Sequence, residues 1–478
     1  MLAKSLVPLA LLMFPRPPGE SPNSCLSFYG SSPTGKWSFY GTDDLDCVAA
    51  AASYGDSGAL ADAAHPPDTR LVWLESDVTA VDDSLRAAEA EVDVLSHLLA
   101  SIKSSSSMAL DGQQRILDGS EPREPVEAMY RDHSGSALLL RVDAALAPTL
   151  DTHLPRLWRS MLVPSSPAPF VPVPDAAIER VRTILKHVKF DPTVASLVNN
   201  ISVPLLRADA RWLTGEDSRS PIVSRHSFSS DTPKAAAWLV ERFEETGATC
   251  RLAPFLTGFA PNVICAYPAT TNTTETVLLS AHYDSRGSFG STRAPGGDDD
   301  GSGTTALLGI ARAIQRRGVR FAKNVQLCAF AGEEQGLLGS RAYARELREA
   351  GANLTLMVQA DMLAYHKAGE PPQLGLPDLI GTPEVTQLVA NLSAIYSPEL
   401  NVGFTPACCS DHQSFHEQGF PSTQVFERAG PIADPMYHNS GDLTDREGYD
   451  FEQLKSIAKV QFATLLHSAG YEVPADEA

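Results

Sequence analysis

Three short motifs between Leu278 and Glu334 hold the residue types of a two-metal hydrolytic site. They read Ala281-His282-Tyr283-Asp284, Gly297-Asp298-Asp299-Asp300-Gly301-Ser302-Gly303 and Ala331-Gly332-Glu333-Glu334-Gln335-Gly336. Imidazole nitrogen and carboxylate oxygen are ligands that zinc takes in catalytic sites, and Asp361 and His438 add one more of each downstream. His282 closes an apolar run, where a lone histidine is ordinarily a surface residue. Asp284, two residues on, falls on the same side of an extended chain. It can accept the unused imidazole N–H and fix the tautomer. Three adjacent aspartates are costly to bury without compensation. As a solvated loop they would only cap the next helix, a role open to Asp300 or Ser302. Flanked by Gly296, Gly297, Gly301 and Gly303, the chain can instead turn sharply and present one carboxylate inward to bridge two cations. Adjacent glutamates are most often a surface pair. After a buried strand they divide the work, one holding metal and the other accepting a proton from a water. Asp361 repeats the strand-end placement, with a helix cap as its plain reading. The loop Met436–Asp442 around His438 carries little weight alone.

Short apolar runs must hold these groups still. Asn262–Tyr267, Thr276–Ala281, Asn324–Phe330, Leu354–Gln359 and Thr423–Phe426 read as strands. Thr232–Glu244 and Gly303–Arg317 read as helices, the second with Leu307, Ile310, Ala311 and Ile314 at helical spacing and Gly318 as its stop. Strands separated by helices indicate a mainly parallel, helix-covered sheet, whose ligands sit beyond the carboxyl ends of the strands. His282, Glu333, Glu334 and Asp361 all fall there.

With 478 residues the chain is too long for one ordinary domain. A net charge of −20 argues against nucleic acid or an anionic membrane as partner. Residues 1–18, with Lys4 and the apolar run Leu6–Phe14, read as a signal peptide, although Pro8 interrupts the run and no clean cleavage site follows. No other stretch is apolar enough to span a membrane. Residues 19–162 form a weakly patterned α+β region, with a helix over Asp82–Ile102 and strands at Leu71–Leu74 and Ala137–Val142. The proline-rich stretch 163–175 is an extended linker, and 176–470 form the catalytic domain. Exposed and extended, the linker suits cleavage, though it holds no dibasic site. The region before it reads as an inhibitory pro-segment, with a permanent accessory domain as the alternative. Sequons at Asn200, Asn272, Asn353 and Asn391 agree with secretion and glycosylation. Cys250 and Cys265 flank a hairpin that a disulfide could bridge. Cys328 reads as a buried thiol, and the pairing of Cys408 and Cys409 is open.

In combination these motifs resemble the co-catalytic zinc aminopeptidases of the bacterial leucine aminopeptidase type, over Ile201–Leu466. Ser410-Asp411-His412 with Phe415, and Tyr437-His438 with Asp442, extend the likeness. The whole chain resembles secreted fungal-type members with an N-terminal extension. The resemblance implies a mixed, mainly parallel eight-stranded sheet between helices, the zinc-dependent exopeptidase fold, holding two zinc ions. Asp299 would bridge them, with Glu334 and His438 on one and His282 and Asp361 on the other. Glu333 would be the general base and Asp284 the partner of His282. Met362, Phe426 and Tyr437 could line a pocket for an apolar first residue, or be plain core. The expected substrate is a peptide or protein N-terminus, and the expected state a monomer. One departure stands out. Where the bacterial prototype has a tyrosine that helps bind the oxyanion, and a cysteine two residues earlier, an ungapped match places Ala407 and Thr405. Tyr365 or His412 are the candidate substitutes. The alternatives to an aminopeptidase are a glutaminyl cyclase of the same fold, another exopeptidase, or an inactive binding domain. The complete ligand set speaks against the last.

Overall fold

The computed structural model describes residues 10–19, 23–51, 59–62, 66–88, 93–109, 125–291 and 293–474. Two antiparallel sheets make up the N-terminal region. The first, in the order β2–β3–β1–β4, comprises β1 (Ala10–Phe14), β2 (Ser27–Ser31), β3 (Ser38–Thr42) and β4 (Ala59–Asp62). The second, in the order β6–β7–β5–β8, comprises β5 (Thr69–Ser76), β6 (Val126–Arg131), β7 (Ala137–Asp143) and β8 (Trp158–Leu162). Leu11, Met13 and Phe39 of the first pack on Leu71, Trp73 and Leu139 of the second. Helix α1 (Leu45–Ala51) follows β3 and is tied back to Cys25 through Cys47. Where one helix over Asp82–Ile102 is expected, there are two, α2 (Asp83–Ala88) and α3 (Val94–Ala109), with residues 89–92 outside those described.

From Ala10 onward the run read as a signal-peptide core is a fully buried strand, paired with β3 on one side and β4 on the other. A short apolar run satisfies both a leader core and an interior strand, and periodicity does not separate them. Residues 1–9 lie outside the described set.

The linker is extended but laid down on its neighbours. Ala168 N–H donates to Phe28 O at 2.9 Å, Val171 N–H to Glu417 O at 2.8 Å, and the Phe170 ring meets Phe28 edge-on.

The region after the linker opens with α4 (Asp175–His187), α5 (Pro192–Val198), α6 (Val203–Leu213) and α7 (Thr232–Glu244). Its central sheet has six hydrogen-bonded strands. These are β9 (Thr249–Ala253), β10 (Asn262–Tyr267), β11 (Glu275–His282), β13 (Asn324–Phe330), β14 (Asn353–Ala360) and β17 (Ser422–Val425), after the short β12 (Arg320–Phe321). The order is β17–β14–β11–β13–β10–β9, with the first four strands parallel and the last two pairings antiparallel. β15 (Gln373–Pro377) and β16 (Asn401–Thr405) pair in parallel and join the sheet through a bridge between Gly375 and Phe426, which brings the strands to the expected eight.

Period-2 alternation sorts the side chains. Val277, Leu279 and Ala281 of β11 face the core under α8 (Gly301–Arg316), α10 (Pro383–Tyr396) and α12 (Phe451–Ala469). Leu278 faces the opposite core, under α9 (Leu338–Glu349) and α11 (His412–Glu417). A final strand, β18 (Tyr471–Glu472), pairs with β12. The chain leaves β11 through α8 to reach β13, then recrosses through α9 to β14 on the other side of β11. Right-handed crossovers in opposite directions put their helices on opposite faces, so a crevice opens at the carboxyl end of β11. His282 stands at that end.

Candidate active site

The three aspartates separate into three jobs. Asp300 is the cap of α8 that its plain reading allows, accepting the Gly303 N–H at 2.9 Å. It also accepts the main-chain N–H groups of His282 and Met362, both at 3.1 Å, and so ties three loops together. Asp298 accepts the Ala364 N–H at 2.8 Å. Asp299 alone points into the crevice. Its Oδ1 lies 3.3 Å from Nε2 of His282, and its Oδ2 lies 3.5 Å from Nε2 of His438. Glycine is required at position 296, where φ is +55° and a Cβ would meet the Asp299 carbonyl oxygen at 2.4 Å. Arg225, fully buried, locks this turn by donating to the carbonyls of Tyr283, Pro295 and Gly296.

Around Asp299 the expected ligands fall into two groups. His282 Nε2 is also 3.7 Å from Asp361 Oδ1, and His438 Nε2 is 3.0 Å from Glu334 Oε2. Two triads that could each hold a metal ion therefore share Asp299: His282 with Asp361, and Glu334 with His438. Asp284 stands behind, with Oδ1 3.5 Å from Nδ1 of His282. It also receives the N–H groups of Glu333 and Glu334 and the hydroxyl of Ser227.

His438 Nδ1 lies 2.7 Å from the carbonyl of Arg156 and 3.2 Å from an Arg286 nitrogen. A carbonyl only accepts, so the shorter contact places the proton on Nδ1 and leaves the Nε2 lone pair facing Asp299 and Glu334. Burial, reinforced by Arg286, pushes the His438 imidazole down to about 3, which keeps it neutral as a ligand must be. For His282, burial is outweighed by Glu333 and by the hydrogen bonds of Asp284, Asp299 and Asp361, and its pKa rises. That preference for positive charge is one a cation satisfies as well as a proton. Glu333 is lifted well above the carboxylate range by burial, against the pull of Arg159.

The donor set fits zinc on a second count. His282 Nε2, Glu333 Oε1, Glu334 Oε1 and His438 Nε2 are buried without a hydrogen-bond partner. Each such orphan costs about 1–3 kcal/mol, and bound cations would relieve that cost.

Met362, Phe426 and Tyr437 gather beside the triads in one buried cluster with Ile432. The same cluster contains Val81, Leu85 and Leu157 from the N-terminal region. Asp77 and Arg159 of that region join Asp299, Asp361, Met362 and Ala407 in lining the recess over the two triads. Its volume is ≈ 20 Å³, room for about one water. These N-terminal residues escape sequence reasoning, because a lone Arg159 in Trp158–Leu162 resembles any solvent-facing position of an edge strand. Neither Tyr365 nor His412 lines the recess; His412 Nε2 is 3.1 Å from the Ile380 carbonyl. Cys408 and Cys409 pair with each other, Cys250 pairs with Cys265 across β9 and β10, and Cys328 is a buried free thiol.

Residues 262–465 match the profile described as Peptidase family M28. Of curated relatives, a probable leucine aminopeptidase of Arthroderma otae is 29% identical over 293 residues, 58% of this chain and 74% of that protein. Leucine aminopeptidase 1 of Phaeosphaeria nodorum is 29% identical over 307 residues, covering 59% and 76%. Among solved structures, the Legionella pneumophila LapA aminopeptidase superposes with a TM-score of 0.56 at 17% identity, covering 85% of this chain and 100% of that one. LapB of the same organism gives 0.58 at 16%, covering 84% and 100%. The LapA and LapB matches cover more than the M28 domain alone could supply, so the shared fold reaches into the N-terminal region.

Proposed function

We propose that the chain is a zinc-dependent aminopeptidase that removes the first, apolar and leucine-like, residue from peptides through a two-zinc site with Glu333 as general base. The observation that carries this reading is Asp299, which divides its two oxygens between two buried histidine–carboxylate groups. His282, Asp361 and Asp299 would hold one ion, and Glu334, His438 and Asp299 the other. When bound, the ions supply Lewis acidity and a nucleophilic water at neutral pH. Glu333, held by the Asp284 link to its N–H, takes a proton from the attacking water at its carboxylate and returns it to the leaving amine. Carboxylates around the crevice favour a free α-amino group over an acylated one. The M28 match and the names of the fungal relatives support peptide N-termini as substrates.

We read the chain as secreted. Three cysteine pairs among the described residues support an oxidising compartment, and Asn272 of one sequon is exposed in the β10–β11 connection. Among the described residues no helix is long and apolar enough to cross a membrane.

The test is incubation of zinc-restored protein with leucine p-nitroanilide, N-acetyl-leucine p-nitroanilide and an N-terminal glutaminyl peptide. Chelator-sensitive cleavage of the free-amine anilide alone is expected. Ring closure of the glutaminyl peptide without anilide cleavage would replace the reading with a cyclase.

A further inference from the structure

The N-terminal region is joined to the metal site through the groups that orient it. Besides Arg156 O on His438, the buried Arg286 guanidinium beside that histidine donates to the carbonyls of Asp151, Leu154 and Pro155 at 3.2, 3.0 and 3.0 Å. Tyr437 donates to Asp77 at 3.1 Å. Withdrawing residues 151–159 would strip His438 of its tautomer-fixing acceptor and leave the buried Arg286 without its carbonyl partners. A detachable inhibitor leaves a finished site behind it; this segment would take part of the site away.

The segment also carries a side chain that the site lacks. Ala407 lines the recess where the family prototype has its oxyanion-binding tyrosine. The phenol that does line the recess, Tyr437, is committed to Asp77 and stacks on His438 with ring centroids 3.8 Å apart. Arg159, its side chain 14% exposed, reaches in from β8. One terminal nitrogen donates to the Cys409 carbonyl at 3.1 Å, two residues from Ala407. Its Nε is 3.4 Å from Asp77 Oδ2. The other terminal nitrogen, Nη2, is 3.9 Å from Glu333 Oε1, above the metal ligands. A guanidinium anchored on two edges presents its remaining N–H groups in a fixed direction.

We propose that the N-terminal region is a permanent half of the active site and that Arg159 donates to the carbonyl oxygen of the scissile bond, in the place left by Ala407. This rests on the aminopeptidase reading above. Negative charge on that oxygen develops at the tetrahedral stage, so the donor acts mainly on turnover. The recess has room for about one water, so a first residue enters as the apolar wall of Met362, Phe426 and Ile432 yields while Arg159 keeps its two anchors.

The test compares wild type with Arg159→Met and Arg159→Lys in the full chain, with zinc content and melting temperature checked for each. For Arg159→Met, kcat on leucine p-nitroanilide is expected to fall about 10²–10³-fold with KM changed little, and Arg159→Lys to recover part of it. Binding of leucine phosphonic acid, a tetrahedral mimic, should weaken by a similar factor while binding of leucine does not. Unchanged kcat and phosphonate affinity in a folded, zinc-loaded Arg159→Met would overturn the donor role and leave the aminopeptidase reading standing. An inactive wild type that still binds zinc would remove the underlying reading instead. A second arm inserts a specific protease site between Ser165 and Ala168. After cutting, the halves should co-elute with activity retained. Release of the N-terminal half with a rise in activity would establish a pro-segment and overturn the permanent role.

Discussion

Asp284 connects the two strand ends that carry the chemistry: its Oδ1 lies 3.5 Å from Nδ1 of His282, and its oxygens accept the N–H groups of Glu333 and Glu334 at 3.3 and 3.4 Å. One buried carboxylate thus orients His282 at the end of β11 and positions Glu333 and Glu334 after β13. Asp284→Asn keeps the shape but removes an acceptor and the charge. Zinc affinity is expected to fall about 10–100-fold, read by competition with a chromophoric chelator. Unaltered affinity would show that His282 is held by packing alone.

Asp299 belongs to both triads. Asp299→Asn should therefore weaken both ions together, whereas Asp361→Asn should weaken one. Metal analysis after graded chelation separates the cases: one biphasic loss for Asp361→Asn, and a single early loss for Asp299→Asn. Identical profiles would contradict a shared carboxylate.

Glu333 lies outside both triads and has an oxygen without a hydrogen-bond partner. Glu333→Gln should lower kcat by about 10²–10⁴-fold with bound zinc nearly unchanged. Retained turnover would remove it as base.

How much of this was legible depended on whether a residue's job is set locally. Strands β10 and β13 and helix α7 run over the expected residues, because each is a short apolar or amphipathic run closed by glycine, proline or a polar cluster. The grouping of His282, Glu334 and Asp361 was legible for the same reason: each ends or follows a strand, and a parallel sheet brings such ends together; Asp299 and His438 sit on loops and were placed by motif. Ala10–Phe14 is a strand in the fold, and the sequence alone could not separate that from a leader core because the two share one composition. Arg156, Arg159 and Asp77 were invisible because their roles arise only when an edge strand docks on loops well over a hundred residues away. Ala407 did carry a signal, a vacancy where a donor is needed, but nothing nearby in sequence says that Arg159 fills it.

The docking of the two regions has a titratable element of its own. His226 Nε2, in the catalytic domain, is 2.8 Å from Asp151 Oδ2 of the N-terminal region, and Gln335 donates to the same oxygen at 3.2 Å. Burial works against charge on His226, but Asp151 outweighs it and the pKa rises above 6.5. Burial likewise works against Asp151, but His226 and then Arg286 outweigh it and its pKa falls. A raised histidine stabilises the fold fully below its unfolded pKa, and that contribution is lost as pH rises through the folded value. A depressed aspartate stabilises above its unfolded pKa and loses that contribution as pH falls through the folded value. The pair is thus fully stabilising between about pH 4 and about pH 6.5, the two unfolded values. Wild type should lose melting temperature between pH 6 and pH 9 more steeply than His226→Gln, with the two curves converging at the alkaline end. Parallel curves across that range, measured in zinc-saturated buffer at constant ionic strength, would show that the His226–Asp151 pair does not titrate with folding.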